Sequence, residues 1–322
     1  MALIIGTKFK DILVGTGSDD TIFDMGGDDL IFAGDGNDTI FAGKGGDFIS
    51  GGDGVDTLHY GISDAAVNVN LATHVGHGGY AEGDTIWEVE NLIGSKFGDT
   101  LIGDSNANTI DGGDGNDIIH GGGGLDILKG GDGNDTLYSD NSLASFIGGD
   151  DTDTADFSGR TMHENNHYGP SHHQGGVYVN LVLHVVNYGG PSPHEWDPQG
   201  TISGVENVNG TKYADTIIGD HGNNVLNGNG GNDTLTGGYG HDTFVFTRTN
   251  GAVDFGNDTV SDFTAGSDHL QIDHTVFGNF GDVQQHMQQV GGDVVITYDA
   301  NNSITLHGVQ VANLHASDFL FV

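Results

Sequence analysis

Cysteine is absent from this chain, so disulfides and thiolate metal sites are both excluded. Basic residues are nearly as scarce: Lys and Arg together number 8, against 46 Asp and Glu, for a formal net charge of −38. With so few cations there is no patch to meet phosphate, and nucleic acid is excluded as a partner. No apolar run approaches the roughly 18 residues needed to cross a bilayer, and no transmembrane segment is expected. Neither a cleavable signal peptide nor a membrane anchor is visible, and Met1 stands directly before the first repeat and reads as a natural start.

Glycine and acid are what the chain has. It holds 58 glycines, yet only 17% of its residues are charged, so the acid belongs to a Gly/Asp framework and not to a charged disordered chain. Self-repulsion at this charge opposes compaction unless cations neutralise it. The framework is clearest in Ala33 to His59, which reads AGDGNDTIF, AGKGGDFIS, GGDGVDTLH. Each nine-residue unit follows small-Gly-x-Gly-x-Asp-x-U-x, where U is Ile40, Ile49 or Leu58 and the acid is Asp38, Asp47 or Asp56. A period held this strictly is structural.

The frame organises most of the chain into blocks. The first, 1–59, contains six units with Asp11, Asp20, Asp29, Asp38, Asp47 and Asp56 at the sixth position; the first two lack the paired glycines and read as end caps. An insert, 60–93, carries the alternating strand pattern Val67 to Leu71 and a Gly/His-rich turn, His74 to Gly79. The second block, 94–156, has seven units, with Asn108 and Ala144 in place of two acids. A longer, His-rich insert, 157–209, repeats the first at its ends: Val177 to Leu181 matches VxVNL, and Val205-Glu206-Asn207 matches Val89-Glu90-Asn91. The third block, 210–245, has four units, with Asn224 among its sixth positions. From 246 to 322 the nine-residue frame is lost. Short strands are expected at Val294 to Tyr298 and Ile304 to His307, with a brief helix at Asp282 to Val290.

The residue types fix the chemistry. Glycine permits positive φ and close backbone approach, so Gly-x-Gly bends the chain. A carboxylate after the bend completes an all-oxygen environment, which suits a hard cation of roughly 6–8 ligands such as Ca²⁺. Two units make one coil, because turns must alternate sides, so acids two units apart stack about 4.8 Å apart and can share an ion. That pairs Asp20 with Asp38, Asp29 with Asp47, Asp38 with Asp56, Asp117 with Asp135, and Asp215 with Asp233. Intact calcium loops are expected at Gly34/Gly36/Asp38, Gly43/Gly45/Asp47, Gly52/Gly54/Asp56, Gly113/Gly115/Asp117, Gly122/Gly124/Asp126, Gly131/Gly133/Asp135 and Gly238/Gly240/Asp242. Asp20, Asp29, Asp99, Asp153, Asp215 and Asp233 complete the ligand set. Asn108 and Asn224 mark places where calcium is weaker or absent.

These units resemble the haemolysin-type, or RTX, calcium-binding nonapeptide repeat of secreted bacterial proteins. The resemblance implies an all-β fold: a right-handed parallel β-roll, a solenoid in three blocks with two inserts, with calcium between its turns. The order GGDGVDT, VNVNL, VEN, GSKFGDT is similar to the modular arrays of alginate-epimerase accessory modules. The end resembles the serralysin-type C-terminal cap, through Thr243 to Phe246, Gly256-Asn257-Asp258-Thr259, Ser303 to Leu306 and Asp318 to Val322. This implies an antiparallel β cap and an uncleaved signal read by a type I secretion machinery, hence an extracellular, secreted protein.

The longer insert holds a second motif. His163-Glu164-Asn165-Asn166-His167 is an HExxH match, and His173 stands where the metzincin pattern has its third ligand. On a helix, His163 and His167 would share a face and bind zinc, with Glu164 the catalytic candidate polarising a bound water. Against this, Pro170 occupies the metzincin glycine position, and consecutive asparagines followed by Gly-Pro are poor helix material. The same residues also read as a surface loop, or as a non-catalytic metal site. His74 and His184, each just past a VxVNL strand, read as fold-related, and Trp87 and Trp196 as small-core packing or platforms for a sugar ring. Three function classes follow: a calcium-folded structural, surface or polysaccharide-associated module, a zinc hydrolase centred on the long insert, or a secretion and stability module of a larger exoenzyme.

Overall fold

The computed structural model describes residues 1–140, 143–160, 176–188, 199–248 and 253–322. Its chain divides into two units, Met1–Asp153 and Thr154–Val322. Both are built from very short strands, because each nine-residue unit spends most of its length turning and leaves three β-favouring residues to pair. Thr39–Phe41 and Thr57–His59 are of this kind, with the central Ile40 and Leu58 fully buried and the flanking residues half-buried.

The pairing register gives the coil. In the first unit Thr21 pairs in parallel with Thr39 and Thr39 with Thr57, a step of two repeats. On the opposite sheet Ile12 pairs with Leu30 and Leu30 with Phe48, by the same step. Two mostly parallel sheets therefore face each other across one layer of inward side chains. Ile22, Ile40, Leu58, Leu92, Ile110 and Leu128 stack from one sheet, and Ile31, Ile49, Ile86, Val69, Leu101 and Ile119 from the other, all within 2% of full burial. Each contributes about 1.5–3 kcal/mol, but the core is only one side chain deep per strand. The molecule is a parallel β-roll solenoid.

The first insert is built into this roll. Asn91 takes the next parallel place after Thr57, and Thr85–Trp87 the next after Phe48–Ser50. Val75–His77 and Asn68–Asn70 form an antiparallel hairpin beside it, and Asn68–Asn70 then pairs in parallel with Thr100–Ile102. In the second unit Tyr178–Asn180 pairs with Thr216–Ile218 in the equivalent way.

The parallel coil also continues beyond residue 245. Thr243–Phe246 pairs with His269–Ile272, and that strand with Phe319–Phe321. Thr234–Thr236 leads to Asn257–Val260 and then Ser303–Leu306. Antiparallel pairing in this region joins Met287–Val290, Asp293–Thr297 and Ser303–Leu306. The helix expected at Asp282 to Val290 is corrected: it spans Phe280–Gln285, capped by the Asn279 side chain, and Met287–Val290 is a strand. Gly291, at φ 63°, closes a tight turn that draws Met287–Val290 into the hairpin. No helix among the described residues is long and apolar enough to cross a membrane.

Candidate metal centres

Each turn is built from the glycines upward. Gly34 and Gly36 have φ of 112° and 127°, and a Cβ on Gly36 would lie 2.5 Å from Asp19 N of the preceding coil. Any other residue would meet both left-handed strain and a backbone clash. Gly45, Gly52, Gly54, Gly113, Gly115, Gly122, Gly124, Gly131, Gly133, Gly238 and Gly240 share the positive φ; Gly43 does not.

The acids then form ladders. Within the blocks the backbone N–H of a sixth-position Asp donates to Oδ1 of the Asp eighteen residues later, at 2.6–2.8 Å: Asp11 to Asp29, Asp20 to Asp38, Asp29 to Asp47, Asp38 to Asp56, Asp99 to Asp117, Asp117 to Asp135, Asp135 to Asp153, and Asp215 to Asp233. The other oxygen, Oδ2, is buried without a hydrogen-bond partner in Asp29, Asp38, Asp47, Asp56, Asp117, Asp135 and Asp233. At Gly51, Gly112, Gly130 and Gly228, the first residues of their units, any Cβ would collide with the Oδ2 of their own unit's Asp. Each aspartate therefore has one oxygen committed to the fold and one held desolvated, which in Asp56, Asp117, Asp135 and Asp233 lies against the first glycine of the unit.

Burial shifts these carboxyls upward: Asp56 and Asp135 to about 6, and Asp117, beside the Asp99 and Asp135 carboxylates, to about 7. Asp233, buried and beside Asp215 and Asp258, is pushed up to about 10. An orphaned, desolvated carboxylate oxygen in an oxygen-only turn fits a hard divalent cation. The residues that would hold Ca²⁺ are these aspartates, with the carbonyls of their glycine turns as the remaining oxygen donors.

Other sequence-picked acids differ. Both oxygens of Asp99 meet protein donors: Ser95 N and Oγ, and Val67 N at 2.7 Å. Asp215 is met in the same way by Thr211 N at 2.6 Å, Thr211 Oγ1 at 3.0 Å and Val177 N at 2.7 Å. Asp20 accepts from Thr16 N and Ala2 N. The units of Asp99 and Asp215 open their blocks and that of Asp20 is second in its block; all three have Ser or Thr where later units have the second-position glycine, and its donors cap the carboxylate. Asp126 and Asp242 accept from Asn108 N and Asn224 N. The two asparagines have a positive role: Nδ2 of Asn108 donates to Glu90 O, and Nδ2 of Asn224 to Glu206 O, both at 2.8 Å.

Several ladder members escaped the nine-residue count. Asp84 accepts from Asp47 N at 2.9 Å through Oδ1, and its Oδ2 accepts from the buried Tyr60 hydroxyl at 2.7 Å. Glu90 accepts from Asp56 N. Asp258 accepts from Asp233 N and Asp268 from Asp242 N, across 25 and 26 residues. The tails Gly83-Asp84-Thr85-Ile86 and Gly256-Asn257-Asp258-Thr259 carried the signal, but their spacing breaks the period. Asp24 was missed because its place in the unit belongs to a small residue.

His74 and His184 sit at φ 64° and 56° and bond through Nδ1 to Ile86 O and Ile202 O. They organise their hairpins. His163, Glu164, His167, His173 and Trp196 lie outside the described residues.

The RTX calcium-binding nonapeptide repeat family matches residues 5–40, 32–64, 93–128 and 114–142. Peptidase M10 serralysin C terminal, a second family, matches residues 201–322. The chain carries RTX repeats and a serralysin-type C-terminal domain. Neither match includes the His163–His173 segment, and neither supports zinc. No curated protein matches the chain. Among solved structures, the crystal structure of extracellular lipase LipA from Serratia marcescens is similar at 19% identity and a TM-score of 0.33, over 72% of this chain and 40% of the lipase chain. The chain thus spans 40% of the lipase's length, and the likeness carries no functional argument.

Proposed function

We propose that this protein is a secreted, calcium-binding β-roll that folds on binding Ca²⁺ outside the cell and serves there as a structural, surface or polysaccharide-associated module. The observation that carries the reading is the row of buried, unpartnered Oδ2 atoms on Asp29, Asp38, Asp47, Asp56, Asp117, Asp135 and Asp233. Uncompensated, such groups oppose folding; with a bound cation they become its strongest contacts. A chain of net charge −38 with a core one side chain deep has little else to hold it compact. Folding then follows the calcium concentration, with the extracellular range roughly millimolar. The serralysin-type domain supports export by a type I secretion machinery in the unfolded state. The polysaccharide part of the reading turns on Trp87, whose ring is stacked on His74 with centroids 3.8 Å apart beside a cavity of about 260 Å³.

The test is far-UV circular dichroism of the full chain during chelation and calcium return. Chelator is expected to abolish the β signal and roughly millimolar Ca²⁺ to restore it, where the same concentration of Mg²⁺ does not. A β signal indifferent to chelation would sink the proposal.

A further inference from the structure

Asp24 stands at the first position of its unit, where the neighbouring units have Gly15, Ala33, Ala42 and Gly51. It follows the strand Thr21–Phe23, while Asp29 precedes the strand Leu30–Asp35, so this turn carries a carboxylate at each end. Asp47 enters from the next coil, since Leu30 pairs with Phe48. Carboxylate oxygens of Asp24, Asp29 and Asp47 lie within 4.8 Å of one another, and all three residues are buried. Asp24 is fully buried, and neither its oxygens nor Oδ2 of Asp29 and Asp47 make a well-formed hydrogen bond; the Gly43 N–H and the Asp47 carboxyl lie nearest to Asp24. Gly43 makes room for this arrangement, because a Cβ there would collide with Asp24 Oδ1. The same Cβ would also meet the backbone of Met25 and Gly26, so this turn needs a glycine at 43 although its φ is unremarkable.

We propose that Asp24, Asp29 and Asp47 form a three-carboxylate cation site, the tightest calcium site of the first unit, distinct from the repeat sites in its added ligand Asp24. This rests on the calcium reading of the array and deepens it. Three acids with four open oxygens supply more negative charge than a repeat turn, whose first residue contributes no side chain, and ligand charge is what tunes calcium affinity. In the metal-free molecule the arrangement is costly: burial, then the Asp47 and Asp29 carboxylates, push the Asp24 carboxyl upward. A divalent cation removes that cost.

Calcium titration of the full chain, by calorimetry, against Asp24→Ala and Asp24→Asn tests the site. Ala restores the residue type of Ala33 and Ala42 and is expected to fold; Asn keeps the shape of the side chain and removes its charge. Both variants should lose one ion from the tightest phase, its affinity falling at least about tenfold, with the remaining isotherm unchanged. Variants matching the wild type in ion number and tight-phase affinity would overturn the site and show Asp24 to be a proton-sharing partner of Asp47. A wild type with no saturable calcium binding would overturn the calcium reading and this site with it, an outcome distinguishable from the first.

Discussion

One aspartate per turn does two jobs, and its two oxygens divide them. Oδ1 closes the backbone of the preceding coil, as in Asp38 N to Asp56 at 2.7 Å, and Oδ2 waits buried for a cation. Asn108 does neither: its Oδ1 accepts from Asp104 N of its own unit, and its Nδ2 turns to the preceding coil. Where the preceding coil presents Glu90 O, Asn108 supplies a donor that a carboxylate lacks. Asn108→Asp would set a charge against that carbonyl and leave it unpaired, so it should destabilise the calcium-loaded protein by about 1–3 kcal/mol with no gain in bound ions. Denaturant unfolding with parallel calcium counting checks this; an extra ion would refute it. The sequence showed Asn108 and Asn224 as departures from the repeat, and the reason for them lies in Glu90 and Glu206, which are neighbours only through the coil.

At the scale of elements, the first insert completes the ladder that it interrupts in sequence. Asp84 receives Asp47 N and gives its second oxygen to Tyr60, so a phenol stands where the repeats leave an open oxygen. The second insert supports this pairing by lacking both members. Phe157 N bonds to Asn209 O as Tyr60 N does to Ile93 O, and Ile202 N to His184 O as Ile86 N does to His74 O, which aligns Phe157 with Tyr60 and Gly200 with Asp84. Tyr60→Phe alone should cost about 1–3 kcal/mol by orphaning Asp84 Oδ2. Combined with Asp84→Gly, its cost should shrink, giving a coupling of about 0.5–3 kcal/mol in a double-mutant cycle read by urea unfolding in calcium. Strict additivity would show the hydroxyl to be idle. The boundaries of the VxVNL strands were nearly right from alternation alone, because one face of each is buried. The role of Asp84 was hidden because its separation from Asp47 is 37 residues, not eighteen.

For the whole molecule, charge decides when the roll can exist. The carboxyls of Asp56, Asp117 and Asp135 have folded values of about 6 to 7, above the unfolded value of about 3.9. A raised folded value means that folding takes up protons, so their stabilising contribution is complete below the unfolded value and is lost as pH rises through the folded one. In chelator, the β signal lost near neutral pH should therefore recover in part at pH 5 and stay absent at pH 8. With calcium the order should reverse, since ion and proton compete for the same oxygens. A chelated protein more stable at pH 8 would contradict the burial that the structure assigns. The sequence alone determined the nine-residue period, the inward Ile/Leu column, the two-unit coil and the position of the repeat acids, because each depends on neighbours a fixed step away. Tertiary structure decided which oxygens remain open: Asp99 and Asp215 are capped, Asp84 is plugged by Tyr60, Asp258 and Asp268 extend the ladder, and Asp24 joins Asp29 and Asp47. Those outcomes depend on which groups from other coils reach a carboxylate, and irregular loop lengths separate that from any sequence period.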